Sequence, residues 1–122
     1  MENVIYQKEA SEILFNNLID INIRIHKLLE VIHNSDDWKW LQDLCLKLSE
    51  NSHLDLSNLA ITCIGHIGRM HKKLKLELVV PFLQELKHND GHLSGNAESA
   101  LDDIYIFMYK GNKNQKTFPK TY

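Results

Sequence analysis

The sequence predicts an all-α protein, organised as a short right-handed α-solenoid of antiparallel helix pairs with five to six helices. The chain has only 5 Gly and 2 Pro among 122 residues, too few for a turn-rich all-β sandwich or barrel. Apolar residues recur at the spacing of a helical face in five segments. Two-helix units also recur at an interval of about 37 residues, which is typical of solenoids, whose units bury their apolar faces by stacking. A plain helical bundle is the alternative.

Composition is that of a soluble globular protein. The chain is 43% hydrophobic and 25% charged, close to the average for that class. No run approaches the roughly 18 apolar residues that a membrane span needs, and the N-terminus lacks the basic-then-apolar order of a secretory signal. Cys45 and Cys63 lie far apart inside apolar segments, which suits a reducing compartment better than a disulfide framework. We therefore expect a cytoplasmic protein.

The N-terminal region predicts a helical cap over residues 8–33. Six apolar residues step along it by three and four, and this longer pattern outweighs a short strand-like alternation at residues 21–26. A break near Asp20 is the alternative to one continuous helix. The same near-heptad stripe also suits a dimer seam, although we expect a monomer. The stripe comprises Leu14, Leu18, Ile21, Ile25, Leu28 and Ile32.

Two further helices follow the cap. Ser35 is the expected N-cap of the second helix, with two aspartates favourably placed in its first turn. The third helix, residues 55–71, is apolar around most of its circumference, and Gly65 and Gly68 permit close approach of a neighbouring helix. The expected buried residues are Trp38, Leu41, Leu44, Cys45 and Leu48 in the second helix, and Leu56, Leu59, Ala60, Ile61, Cys63, Ile64, Ile67 and Met70 in the third.

The fourth and fifth helices are predicted over residues 75–88 and 95–110. Pro81 lies inside the fourth helix and should kink it. Beyond residue 110 the apolar period stops, so residues 111–122 are predicted to form a flexible basic tail. The expected buried residues are Leu78, Val79, Phe82, Leu83 and Leu86 in the fourth helix, and Ala97, Ala100, Leu101, Ile104, Phe107 and Met108 in the fifth.

Charge is unevenly distributed along the chain. The whole chain holds 14 basic and 16 acidic residues, a net charge of −2. All 16 acidic residues and 10 of the basic ones precede residue 110, so residues 1–109 carry a net charge of −6. An acidic body attracts basic partners and repels nucleic acid. The remaining basic residues are Lys110, Lys113, Lys116 and Lys120.

The two central helix pairs align with each other, and their residues resemble HEAT repeats. A shift of 37 places Ile64 on Leu101, and a shift of 38 places Leu48 on Leu86. Residues 78–90, LVVPFLQELKHND, resemble the first helix of a HEAT repeat, proline included. Residues 58–68, NLAITCIGHIG, resemble a second helix, although the Asp and Arg that usually mark the turn and the second helix are absent. The resemblance implies one helical domain, residues 1–110, with HEAT-like units at about 37–71 and 74–109.

The sequence holds no motif that predicts catalysis, a metal or a cofactor. Neither a phosphate-binding glycine loop nor a GxSxG or HExxH motif occurs. His88 and His92 are four residues apart, but Gly91 places them in a loop and no further ligand follows at a zinc-like spacing. Asp102 and Asp103 are neighbours on a helix and point about 100° apart. We therefore expect no catalytic residue, no metal and no cofactor.

The polar residues of the third and fifth helices predict a partner-binding surface. In stacked helix pairs the second helices line the inner surface, so their few polar positions meet a partner. Acids and tyrosines on such a ridge suit a basic protein partner, since Tyr supplies contact area at low entropic cost. The solvent side of two amphipathic helices is the alternative interpretation. The predicted site comprises Asn58, Thr62, His66, Arg69, Ser99, Asp102, Asp103, Tyr105, Ile106 and Tyr109.

A small, acidic, helical protein without catalytic motifs resembles bacterial toxin-immunity proteins, including those of contact-dependent growth inhibition. The resemblance implies a protein that binds and occludes a basic, nuclease-like toxin domain, because nucleases must attract phosphate. The alternative is a HEAT-type scaffold or adaptor that holds a peptide or protein in its concave groove. A nucleic-acid enzyme is a third hypothesis, but the one basic cluster of the body, residues 69–73, is a weak basis for it. We expect neither nucleic acid nor membrane as a partner.

Overall fold

The computed structural model describes residues 2–89 and 91–109, and this part of the chain is all-helical. It holds six α-helices and one short π-helix and no strand, so the prediction of an all-α protein is confirmed within the described residues. The elements are α1 (Glu2–Leu14), α2 (Ile21–Asn34), α3 (Trp38–Leu48), α4 (Leu54–His71), α5 (Leu76–His88), α6 (Ser94–Ile104) and the π-helix Tyr105–Tyr109. The predicted tail, residues 111–122, lies outside the described part.

The N-terminal region forms two helices, with the break near Asp20 that was the alternative to one helix. The Asp20 side chain accepts a hydrogen bond from the Asn22 amide at 2.8 Å and so caps α2. Buried Arg24 donates two hydrogen bonds, at 3.0 and 3.1 Å, to the Leu14 carbonyl at the end of α1. Leu18, predicted to be buried, lies in the turn and is 96% exposed. The first helix also begins at Glu2, six residues before the predicted start.

The N-cap of α3 is Asp37, which corrects the prediction of Ser35. Asp37 Oδ1 accepts a hydrogen bond from the Trp40 amide at 3.1 Å, and its Oδ2 accepts one from Gln7 Nε2 at 2.9 Å. These bonds favour the ionised carboxyl, so the Trp40 amide and then the Gln7 side chain lower the pKa of Asp37. Ser35 Oγ instead accepts from the Asp37 amide at 3.2 Å, two residues too early to cap the helix.

The helices pack in consecutive pairs, α1 with α2, α3 with α4, and α5 with α6. The second members of the pairs also contact one another in order, α2 with α4 and α4 with α6. Buried Gln42 of α3 accepts a hydrogen bond from the Lys75 amide at 2.6 Å, which fixes the start of α5 beside α3. Helix α4 therefore lies between α2, α3 and α6.

Most of the predicted core residues are buried, and the exceptions lie near helix ends. Met70, Leu78 and Phe107 were expected inside, but they are 44%, 47% and 36% exposed. Met70 lies in the last turn of α4 and Leu78 in the first turn of α5. Phe107 is displaced because the predicted fifth helix changes to a π-helix at Tyr105. The wider π turn shifts the phase of every later side chain.

Gly65 and Gly68 lie where α4 approaches the last helical segment, as predicted. A Cβ atom on Gly65 would lie 3.1 Å from the Cα of Ala100 in α6. A Cβ atom on Gly68 would lie 3.2 Å from both Leu74 Cδ1 and Met108 Sδ. Such contacts are tighter than ordinary van der Waals distances, so the absence of a side chain is what lets the segments meet.

Cys45 and Cys63 are free and completely buried in the core, on α3 and α4. A hydrogen bond with Cys63 and then burial raise the pKa of the Cys45 thiol well above its ordinary value. Cys45 is thus a neutral thiol, and both cysteines pack as small apolar side chains. Among the helices of the described part of the chain, none combines the length and the apolar character needed to cross a membrane.

Candidate functional site

The most distinctive polar surface follows the line where α4 meets α6, and we call it the α4–α6 seam, made of Asn58, Gly65, His66, Asn96 and Asp103. Gly65 sets its geometry, because a Cβ atom there would lie 2.9 Å from Asp103 Oδ2 and 3.3 Å from Asp103 Cβ. The Asp103 side chain therefore rests against the backbone of α4. Its half-buried carboxylate is held beside α4 by the packing of the two helices.

His66 occupies the middle of the row of second helices. Its ring is half-buried, and its Nδ1 atom is inaccessible to solvent with no hydrogen-bond partner in the described part of the protein. Burial lowers the pKa of His66, and the positive charge of Arg69 adds to the lowering, while the Asp103 carboxylate opposes it. His33, from the end of α2, lowers the pKa of His66 further. The imidazole is therefore neutral at pH 7.

A side-chain hydrogen bond joins the two helices at the other end of the seam. Asn96 Nδ2 donates to the Asn58 carbonyl at 3.0 Å. The Asn58 side chain donates to the Leu54 carbonyl of its own helix at 3.0 Å. Thr62 is half-buried on α4 and Ser99 exposed on α6, each one turn further along its helix. The hydrogen bond from Asn96 therefore fixes the register of α6 on α4.

Six of the ten predicted site residues lie on the seam or beside it, and four lie elsewhere. Asn58, His66 and Asp103 belong to the seam, Thr62 and Ser99 adjoin it, and the charge of exposed Arg69 is close enough to lower the pKa of His66. The remaining four are Asp102, Tyr105, Ile106 and Tyr109.

Helical geometry turns Asp102 away from the seam, and the other three residues lie in the π-helix that follows α6. Asp102 precedes Asp103 by one residue and so points about 100° away from it. Tyr105 and Ile106 are exposed in the π-helix. Burial, followed by the negative charge of Glu77 in α5, raises the pKa of Tyr109, which places its ring near α5. The seam is therefore narrower than the predicted site.

Sequence reasoning missed two residues, Asn96 and His33. Asn96 follows Asn58 by 38 residues, whereas these second helices align at a shift of 37, so the repeat matched Asn58 with Gly95 instead. His33 precedes His66 by a shorter interval and lies outside the aligned units, so the repeat gave no signal for it. Only the packing of α2 on α4 brings it near.

The seam combines a carboxylate and a neutral imidazole with side-chain amides, and the Arg69 guanidinium lies beside it. This set is suited to hydrogen bonding with a protein surface. Among the described residues, no three His, Cys, Asp or Glu side chains are placed to hold a metal ion. A polar cavity of about 360 Å³ lies away from the seam, where Tyr6 and Gln7 of α1 meet the segment 34–37 that connects α2 to α3.

Comparison with known proteins yields no match, whether to a family model, to a curated protein or to a solved structure.

Proposed function

We propose that this chain is a non-catalytic, protein-binding protein of the immunity type, which binds and occludes a basic, nuclease-like toxin domain through the α4–α6 seam. The observation that carries the proposal is the Asp103 carboxylate, held against Gly65 next to a neutral imidazole. A carboxylate fixed in this way is an acceptor for a lysine or arginine side chain, and its position is set before the partner arrives.

The overall charge supports the same kind of partner. Residues 1–109 carry a net charge of −6, which accelerates association with a basic protein. A domain that cleaves nucleic acid is basic because it must attract phosphate. Protection of a cell requires a dissociation constant in the nanomolar range or below, about −12 kcal/mol.

The helix order supports a solenoid interpretation of the fold. Contacts from α2 to α4 and from α4 to α6 are those expected if the second helices of three stacked pairs form one layer. We infer that this layer is the inner surface of a short right-handed solenoid and that the seam lies on it. The α1–α2 pair then acts as the N-terminal unit of the stack.

The test compares three variants as bait in affinity purification from the native cells, with a high-salt wash and mass spectrometry. We expect the wild-type chain to retain one stoichiometric basic protein, and D103N to lose it. E98Q is the matched control, since Glu98 is exposed on the same helix and the substitution removes the same charge. D102K tests the neighbour that points elsewhere, and we expect it to bind as the control does.

Once the chain and its captured partner are purified, the effect of each substitution on affinity can be measured. D103N should weaken binding by about 30-fold, which corresponds to about 2 kcal/mol, and should lessen its dependence on salt. Equal affinity for D103N and E98Q would remove Asp103 from the interface. Several ligands bound at micromolar affinity would support the alternative adaptor function instead.

A further inference from the structure

Although the sequence alone led us to expect no membrane partner, we propose that a basic and apolar patch at the π-helix end of the molecule binds the surface of an anionic membrane. The patch, which we call the π-end patch, is made of Lys72, Lys73, Lys75, Ile106 and Phe107. It does not depend on the proposed function, because its residues lie outside the α4–α6 seam.

Packing brings the two segments of the patch together. Residues 72–75 connect α4 to α5, whereas Ile106 and Phe107 belong to the π-helix. The ammonium group of Lys72 lies 4.8 Å from the centre of the Phe107 ring. Ile106 is 49% exposed and Phe107 36%. The patch therefore presents apolar side chains directly beside exposed positive charge, an arrangement that is absent from either segment alone.

The lysines occupy positions that local structure does not favour. Lys72 ends α4 in the left-handed region, with φ of 56°, where glycine is the usual residue. Lys75 is the N-cap of α5 and forms no capping hydrogen bond, and its charge lies at the positive end of the helix dipole. Lysines that occupy positions where they cost free energy locally point to a function for their side chains.

Charge complementarity identifies the partner as an anion. No ion pair joins Lys72, Lys73 or Lys75 to a carboxylate of the described residues, although exposed Arg69 in the last turn of α4 adds a fourth cation nearby. The 13 residues that follow Tyr109 carry four more lysines and no acid. Clusters of four to eight basic residues beside apolar side chains are typical of segments that bind anionic lipids.

The composition of the patch favours a membrane over a protein or a nucleic acid. Lysine is depleted in protein interfaces, whereas at a membrane its long stem lies along the apolar boundary with the charge in water. Stacking on a nucleic-acid base requires a free aromatic face, and the Lys72 contact leaves at most one face of Phe107 for it. Ile106 is aliphatic and suits the acyl boundary.

The experiment measures sedimentation of the full chain with vesicles of phosphatidylcholine alone or with about 30% phosphatidylglycerol. We expect binding only to the anionic vesicles at 50 mM salt, and its loss at 500 mM salt. K72E/K73E should weaken binding by at least about 25-fold, at about fivefold for each positive charge. The matched control K8E/K47E changes two exposed lysines of α1 and α3 by the same charge and should keep most of the affinity.

A second pair of variants tests the apolar side chains of the π-end patch. I106S should weaken binding roughly three- to tenfold, whereas L18S, which changes an exposed leucine in the α1–α2 turn, should not. Equal sedimentation with neutral and anionic vesicles, or none with either, would overturn the proposal. So would equal loss in K72E/K73E and K8E/K47E, or displacement of the protein from vesicles by duplex DNA at equal phosphate concentration.

Discussion

Substitution of Gly65 by alanine tests the close approach of α4 and α6 directly. The new Cβ atom would lie 2.9 Å from Asp103 Oδ2 and 3.1 Å from Ala100 Cα. The carboxylate can rotate away, but the Ala100 Cα is backbone, so relief of that contact requires the two helices to move apart. Movement of packed helices disturbs the buried side chains on both sides of the contact.

Two opposing effects decide how far G65A changes the free energy of unfolding. Alanine is favoured over glycine in a helix interior by about 1 kcal/mol, while overpacking of a well-packed core costs about 1–3 kcal/mol. Because the contact involves backbone, we expect overpacking to win. G65A should lower the free energy of unfolding by up to about 2 kcal/mol and the Tm by up to roughly 10 °C. It should also displace Asp103 and so weaken partner binding.

Two other glycines supply matched controls for this substitution. A Cβ atom on Gly95 of α6 would meet open space, and one on Gly68 would meet side chains alone, with its closest contacts at the flexible ends of Leu74 and Met108. Urea and thermal unfolding followed by circular dichroism should therefore rank G95A above G68A and G68A above G65A. A G65A variant as stable as G95A would refute the reasoning, because it would show that the helices yield at no cost.

Three further substitutions test single hydrogen bonds and charges. R24M keeps the buried stem but leaves the Leu14 carbonyl without its two donors, so urea unfolding should show a loss of about 1–3 kcal/mol; a loss under 0.5 kcal/mol would contradict this role. The pKa of Asp37 is lowered from 3.8 in the folded state, so its stabilisation is complete above that pH and is lost as the pH falls through the folded value. D37N keeps a capping side chain, so the free energy of unfolding of this variant should depend less on pH in acid. If that pH dependence were unchanged, Asp37 would not be its source. The pKa of His66 is lowered from 6.5, so acidification from pH 7 to pH 5 protonates the unfolded chain first and favours unfolding; H66Q should reduce this slope, and an equal slope would assign it to another histidine.

The helices of the middle of the chain could be predicted because each presents a long apolar face. In α4, for example, Ile61, Ile64 and Ile67 are buried as their spacing requires. The break after α1 was harder to predict, because Leu18 happens to fit the helical period. The local signals there compete with that period: Asn16 Oδ1 accepts from the Leu18 amide at 2.9 Å, and Asp20 caps the next helix. Short polar side chains that bond nearby backbone thus override an apolar pattern.

The C-terminal end shows a different reason for failure. One extra residue in a turn converts the end of the predicted fifth helix into a π-helix, and composition carries no sign of it. The change exposes Phe107 and directs Met108 onto Gly68. Periodicity alone had placed both side chains inside.

The candidate site was predicted in part, for a physical reason. The polar stripe of α4 follows from helical spacing, so Asn58, Thr62 and His66 are on one side as expected. Which of two adjacent aspartates faces α4 depends on the rotation of α6, and that rotation is set by the contact of Ala100 with Gly65. Such long-range contacts leave no trace in the local sequence pattern.

The central position of α4 implies an order of local opening. Helix α4 is enclosed by α2, α3, α6 and the π-helix, so its amide protons should exchange with solvent only when the whole domain unfolds. Helix α1 contacts mainly α2 and leaves Val4 and Ile5 exposed. Its amides should therefore exchange through fraying that leaves the rest of the helices folded. Hydrogen exchange would then divide the chain into a slow centre and a fast N-terminal edge.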